Sequence, residues 1–267
     1  MPIQKVSLDV LQKVRQHIKS ALTLPDSENH PRSPDGMLTD EDPPEPDSLG
    51  DLGSLFGFGG AEEMESQAPN TQGKWFISSM DPGAALLKLP GVTVQPGYRL
   101  VTYLHRTPAD GIGITWAVPE AMSTTAQLET ALTAKCDLQH PPKPAGALAD
   151  LMEVIRGDGS PQSFLIASLL RRELREFGTL GKFCNWTHHR LINAVPPQVK
   201  WDWKAKQPQD FSPKVLVYPD QKVAIEFFTC RVTAPVAIFQ HVDQYAPNQY
   251  KAASADRAIA IPPTPAK

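Results

Sequence analysis

An acidic, proline-punctuated stretch, residues 24–72, constrains this chain more than any other feature, because it separates the first 23 residues from everything that follows. Twelve acids (Asp26, Glu28, Asp35, Asp40, Glu41, Asp42, Glu45, Asp47, Asp51, Glu62, Glu63 and Glu65) stand against one base, Arg32, giving a net charge of −11. The whole chain of 267 residues carries −3, so the parts outside the stretch sum to +8. Like charges repel, and PRSPDG and EDPPEPDS can propagate neither a helix nor a strand ladder. The sequence therefore predicts a disordered acidic linker over 24–72. Removing it leaves room for one core of ordinary size.

On this reading the chain divides into an N-terminal amphipathic helix (1–23), the linker (24–72), a globular α+β domain (73–245) and a disordered Ala/Pro-rich tail (246–267). In the first part, Leu8, Leu11, Val14, Ile18 and Leu22 form one helical stripe, with Ser7 as N-cap and Pro25 as the stop, leaving the helix free to dock on the main domain, on a partner or on an anionic membrane surface. Within the linker, SLGDLGSLFGFGG sets Leu49, Leu52, Leu55, Phe56 and Phe58 among solvated neighbours. Apolar side chains there gain nothing without a surface to bury against, which suits a short motif that orders on a partner; folding back on the basic domain, or low-complexity linker, is the alternative.

The domain itself reads as strands, then helices, then strands. KWFISSM is a strand, and GYRLVTYLHRT with IGITWAVP forms a hairpin across the turn at 108–111. Helices are expected over 123–134, over 147–156, and from the Ser160 N-cap and Pro161 to Phe177, with Gly178 as terminator. The last has a core face of Phe164, Ala167, Leu170, Leu174 and Phe177, with Arg171, Arg172 and Arg175 off that line. KVLVY and KVAIEFFTCRV pair across Pro219, Asp220 and Gln221, and PVAIFQHV adds a strand starting near Pro235. The fold class is α+β with a largely antiparallel sheet and a central helical segment.

No run approaches the roughly 18 apolar residues needed to span a bilayer. The N-terminus alternates charged and apolar residues, unlike a signal peptide. Cys136, Cys184 and Cys230 are odd in number and widely spaced, which fits neither a disulfide framework nor a paired zinc motif and suits a reducing, cytoplasmic compartment.

Reactive side chains crowd most closely at Cys184, His188 and His189. They could hold a metal with help from His105, His241 or Asp243, or make Cys184 a nucleophile, but adjacent histidines on a strand face opposite ways, so ordinary packing is the expected outcome. Trp201 and Trp203 interleave with Lys200, Lys204 and Lys206 and, with Arg171, Arg172, Arg175, Lys182 and Arg190, sketch a surface for single-stranded nucleic acid. Residues 73–267 carry only +5, modest for such a role. Glu173 and Glu176, beside Arg172 and Arg175, read as an exposed salt-bridged face. The glycines make no phosphate loop or dinucleotide fingerprint, and no cofactor is expected.

Three segments, Gly111–Pro119, 171–178 with 185–188, and 225–245, together resemble an uncharacterised cyanobacterial protein family, over about Lys74 to Tyr245. The resemblance implies no catalytic residues, and it implies association with photosynthetic or translational machinery. The reading that results is a non-enzymatic adaptor or assembly factor binding protein partners through its domain, through Leu11, Val14 and Ile18, and through Leu52, Leu55 and Phe56. An RNA-binding regulator using Trp201, Trp203, Lys204, Lys206, Arg171 and Arg175 is one alternative, and a small metal- or cysteine-dependent hydrolase around Cys184 and His188 is the other.

Overall fold

The computed structural model describes residues 3–29, 73–197 and 199–263. In chain order the elements are β1 (Ile3–Lys5), α1 (Leu8–Ala21), α2 (Asp26–Asn29), β2 (Trp75–Ile77), α3 (Pro82–Leu86), β3 (Val92–Val94), β4 (Tyr98–Arg106), β5 (Gly111–Pro119) and α4 (Thr125–Thr133). There follow β6 (Ile155–Gly157), α5 (Pro161–Arg175), β7 (His189–Ile192), β8 (Asp202–Trp203), β9 (Lys214–Val217), β10 (Val223–Arg231), β11 (Ala237–Tyr245) and β12 (Ala252–Ile261). Helices and antiparallel sheets mix, as the strand–helix–strand order of the sequence implies.

The largest sheet runs β1-β9-β10-β11-β12-β8, and β10 shares one edge between two short strands. Its first half, Val223 to Glu226, pairs with β9, and its second half, Phe228 to Arg231, pairs with β7. The hairpin expected across 219–221 forms, with Gln221 at φ 61°. A smaller sheet, β2-β4-β5, contains the second expected hairpin, with Tyr98 opposite Pro119 and Arg106 opposite Gly111.

Helix α5 lies between the sheets and starts as its sequence dictates: Ser160 Oγ accepts from Ser163 N at 3.1 Å and Pro161 occupies the first turn. Phe164, Ala167, Leu170, Leu174 and Phe177 are all buried in the main core with Leu86, Leu104, Ile155 and Phe227. Gly178, at φ +74°, ends the helix in the left-handed region that glycine tolerates. Gly113 of β5 passes so close beneath that an added Cβ would stand 1.9 Å from Phe177 O. Glycine is required there by backbone approach rather than by φ.

Four expectations change. Helix α1 has the predicted stripe, with Ser7 Oγ accepting from Val10 N, but Leu11 and Ile18 have no exposure and belong to the same core as α5, with Val14 packed beside them. The face assigned to a partner is covered by the protein's own domain. Residues 24–29 are not linker: Leu24 is buried, and Glu28 accepts from Ser78 Oγ at 2.6 Å and from Ser79 N at 2.7 Å. A carboxylate counted as linker charge is thus a structural clamp between α2 and the end of β2. The helix expected over 147–156 is a 3₁₀ turn, Leu151–Val154, capped by Asp150 and followed directly by β6.

Finally, the tail does not trail off. Strand β12 pairs with β11 from Tyr245 opposite Ala252 to Ile238 opposite Ala260, and carries β8 on its other side. Alanine is a poor strand former in isolation, yet small side chains serve well where the neighbouring strands supply the bulk. The linker motif Leu52, Leu55 and Phe56 lies outside the described residues. Among the described residues no helix is long and apolar enough to cross a membrane.

Candidate functional site

On one flank of α5 a chain of buried polar groups crosses four strands. Side chains two apart on a strand share a face. Phe227 and Thr229 of β10 therefore look toward α5 beside His241 and Asp243 of β11, with Phe227 directly opposite His241 and Asp256 of β12 opposite His241 on the other side. His189 enters from β7. Arg172 and Ser168, one turn apart on α5, reach down to meet them.

The bonds are short and continuous. Arg172 Nη1 donates to Asp243 Oδ2 at 2.5 Å and Arg172 Nη2 to Asp256 Oδ1 at 2.6 Å, while Ser168 Oγ donates to Asp243. His241 Nδ1 lies 2.7 Å from Asp256 Oδ1, His241 Nε2 lies 2.8 Å from Thr229 Oγ1, and His189 Nδ1 lies 2.8 Å from the same hydroxyl. Ring stacking of His241 on Phe227, 4.8 Å between centroids, and Arg172 5.0 Å above Phe227, pack the polar groups into the apolar layer.

Donor count fixes the direction of this relay. Burial opposes ionisation of Asp256, but the His241 hydrogen bond and the Arg172 charge win and hold its carboxyl well below the usual range. It is therefore an acceptor, and His241 Nδ1 carries the proton. Burial also pushes His241 below its ordinary pKa despite that hydrogen bond, so the ring is neutral and its Nε2 accepts from the Thr229 hydroxyl. A hydroxyl has one proton to give, so Thr229 Oγ1 must accept from His189 Nδ1. His189 is pushed down to about 3 by burial and by nearby His241, Arg231 and Arg15. Its Nε2 is therefore a bare lone pair, has no hydrogen-bond partner among the described residues, and is not sealed from open space.

His189 borders a cavity of about 280 Å³ walled by Trp186, Phe239 and Phe183. His241, Asp256 and Arg172 form its floor and Arg175 its rim. The loop that shapes it is held by carboxylates: Glu173 accepts from Arg15 Nε and Trp186 Nε1, each at 2.7 Å, and Glu176 accepts from the main chain of residues 185–187. Arg15 also donates to the carbonyls of His189 and Trp186, tying α1 to the site.

These contacts correct the sequence reading. Arg172 and Glu173, expected on an exposed salt-bridged face, are buried at 4% and 9% exposure, because α5 packs between two sheets and has little free surface. Cys184 does not join the histidines: its Sγ donates to Thr179 O at 3.4 Å, and burial together with Glu176 pushes the thiol up, away from the reactive thiolate. Among the described residues no group of three His, Cys, Asp or Glu side chains could hold a metal. His105 packs against Trp75, away from the relay.

Trp201 and Trp203 are half-buried, the first donating to Pro196 O at 3.1 Å and the second packing on Phe211. Lys204 pairs with Asp202, and Lys206 is exposed. Arg171 and Arg175 border a different cavity, beside β5. Sequence reasoning names His189, His241 and Asp243, places Arg172 on an exposed face, and misses Thr229 and Asp256. The signal for Thr229 is a polar residue inside the apolar strand β10; Asp256 lies in the alanine-rich β12, where the sequence offers no such contrast. The chain matches no family model, no curated protein and no solved structure.

Proposed function

We propose that the protein is a non-catalytic, cytoplasmic regulatory factor that binds a small molecule in the cavity beside His189. The observation that carries the reading is the bare Nε2 of His189. That lone pair opens onto the cavity, so a ligand N–H or O–H can bond it in place of solvent. Trp186, Phe239 and Phe183 offer flat apolar walls, so the fitting ligand is a partly aromatic molecule bearing a hydrogen-bond donor.

Catalysis is disfavoured by the same chemistry. A general base works best with a pKa near the operating pH, and a histidine at about 3 is far from it. Burial pushes the thiols of Cys184 and Cys230 up, which keeps both protonated. Free cysteines at 136, 184 and 230 accord with a reducing compartment. A partner-binding role through α1 loses its support, since Leu11 and Ile18 are spent in the core.

The test is ¹⁵N imidazole NMR on the full chain while phenol- and indole-type fragments are titrated. His189 is expected to show the Nδ1–H tautomer from pH 5 to 8, with the Nε2 resonance moving on binding and the response lost in Thr229→Val. A doubly protonated His189 at pH 7, or no response to any donor-bearing fragment, overturns the reading.

A further inference from the structure

The opposite flank of α5 presents a second cavity, of about 310 Å³, against the free edge of β5. Among the described strands β5 pairs only with β4, so its other edge must find partners elsewhere. It finds them at alternate residues. Gly111 exchanges both main-chain bonds with Leu180, Gly113 N donates to Thr179 Oγ1, and Ala117 O accepts from Leu148 N. By the same alternation the N–H and C=O of Thr115 face this edge. Thr102, opposite Thr115, confirms the phase: its carbonyl accepts from Ser78 N on the far side, and the two threonine hydroxyls bond each other at 2.9 Å. Among the described residues nothing meets the outward N–H and C=O of Thr115, although the residue is only 9% exposed.

Two cations face the same gap. Among the described residues neither Arg171 nor Arg175, one turn apart on α5, has a carboxylate or a hydrogen-bond acceptor, and Arg171 Nη1 has no partner there and is sealed from solvent. Like charges at this spacing repel, so the helix carries a small penalty that an anion between them removes. One acid, Asp150, borders the cavity too; its Oδ1 accepts from Met152 N at 3.0 Å, which leaves Oδ2 uncommitted. Leu151, Met152 and Leu174 supply an apolar wall, and Trp116 closes one side.

A site with two guanidiniums and an N–H on one hand, a carbonyl and a carboxylate on the other, and apolar side chains between them matches a zwitterion. We propose that this cavity binds a free α-amino acid with an apolar side chain. Its carboxylate sits between Arg171, Arg175 and the Thr115 N–H, where the planar guanidinium fork suits it. Its ammonium lies on Thr115 O and Asp150, and its side chain lies along Leu151 and Met152. The site shares only Arg175 with the His189 cavity and does not depend on the reading given for that cavity.

Isothermal titration of the full chain with L-leucine, leucinamide, isocaproate and inorganic phosphate tests it. Leucine is expected to bind at least about tenfold tighter than leucinamide, which lacks the carboxylate, and than isocaproate, which lacks the ammonium. Arg171→Gln and Arg175→Gln each weaken leucine by at least about tenfold, while His189→Phe leaves it unchanged. Both arginine variants keep their fold, since neither side chain has a partner to lose, and an unchanged melting curve verifies this. Isocaproate or phosphate binding as tightly as leucine overturns the proposal, as does leucine affinity that survives Arg171→Gln, or no heat from leucine, isoleucine or methionine. An RNA oligonucleotide whose binding alone depends on Arg171 and Arg175 also overturns it and moves the arginines to nucleic acid.

Discussion

Arginine is used in two opposite ways on the two flanks of α5. Arg172 is 4% exposed and meets two carboxylates through its terminal nitrogens, with only its Nε left over, whereas Arg171, its immediate neighbour, and Arg175, one turn on, meet none among the described residues. Residues 171 and 172 point to different sheets because one helical position turns about 100°. The seven-stranded sheet supplies Asp243 and Asp256 to one flank, and the edge of β5 supplies main-chain groups to the other. A buried charge that is matched holds a structure in register; a cation that is unmatched is available to something else. The two flanks should therefore respond to the same kind of substitution by very different amounts.

The largest effect is expected on the matched flank. Asp243→Asn removes the negative charge, turns one of the two oxygens that accept from Arg172 and Ser168 into a donor, and leaves a buried guanidinium short of charge. Breaking one side of such a pair costs about 3–5 kcal/mol. Urea denaturation of the variant reads this directly. A loss under about 1 kcal/mol would mean that Asp256 alone satisfies Arg172, and the contrast between flanks would weaken.

Next in size is the pH response of the relay. His189 and His241 have folded pKa values below their unfolded ones, so the unfolded chain takes up protons first as pH falls. Their contribution is fully present above about pH 6.5 and is lost on acidification toward the folded values. Asp243 and Asp256 are shifted down as well, so their contribution fades only below the ordinary carboxylate range. Between pH 6.5 and 5 His189 should cost the protein about 2 kcal/mol, with His241 adding in the same direction, and His189→Phe should flatten that slope. Stability that is level across this window would show that both rings take up protons while folded.

Much of the framework was legible because it rests on local chemistry. Ser160 and Pro161 begin α5, Gly178 ends it, and the turn at 219–221 forces β9 onto β10. The site was only half legible. His189, His241 and Asp243 stand out by residue type, but Asp256 sits 15 residues beyond His241 in an alanine-rich segment that single-strand propensity discounts. Arg172 looked like solvent-facing charge because a helix buried on both sides has no polar stripe to read. Glu28 was hidden among the linker acids, and only a partner 50 residues away gives it a role.

A middle-sized effect joins the flanks through α1. Glu173→Gln leaves Arg15 facing an amide and weakens the bond from Trp186, so about 1–3 kcal/mol is expected. The fluorescence of Trp186 should shift toward solvent-exposed values if the loop at 185–187 loosens. An unmoved spectrum would assign the loop's position to Glu176 alone.

The smallest effect completes the comparison on the unmatched flank. Arg171→Gln with Arg175→Gln removes two charges that hold no partner among the described residues, so no hydrogen bond within them is lost. Glutamine keeps most of the stem that packs along Leu174, and both residue types favour helix. Relief of like-charge repulsion at this spacing adds about 0.2–0.5 kcal/mol. The double variant should therefore match or slightly exceed the parent in urea, and the gain should shrink in high salt, where exposed charges are screened. A loss above about 1 kcal/mol would mean that the guanidiniums already stabilise this wall of the cavity, which would remove the asymmetry that makes them available to a ligand.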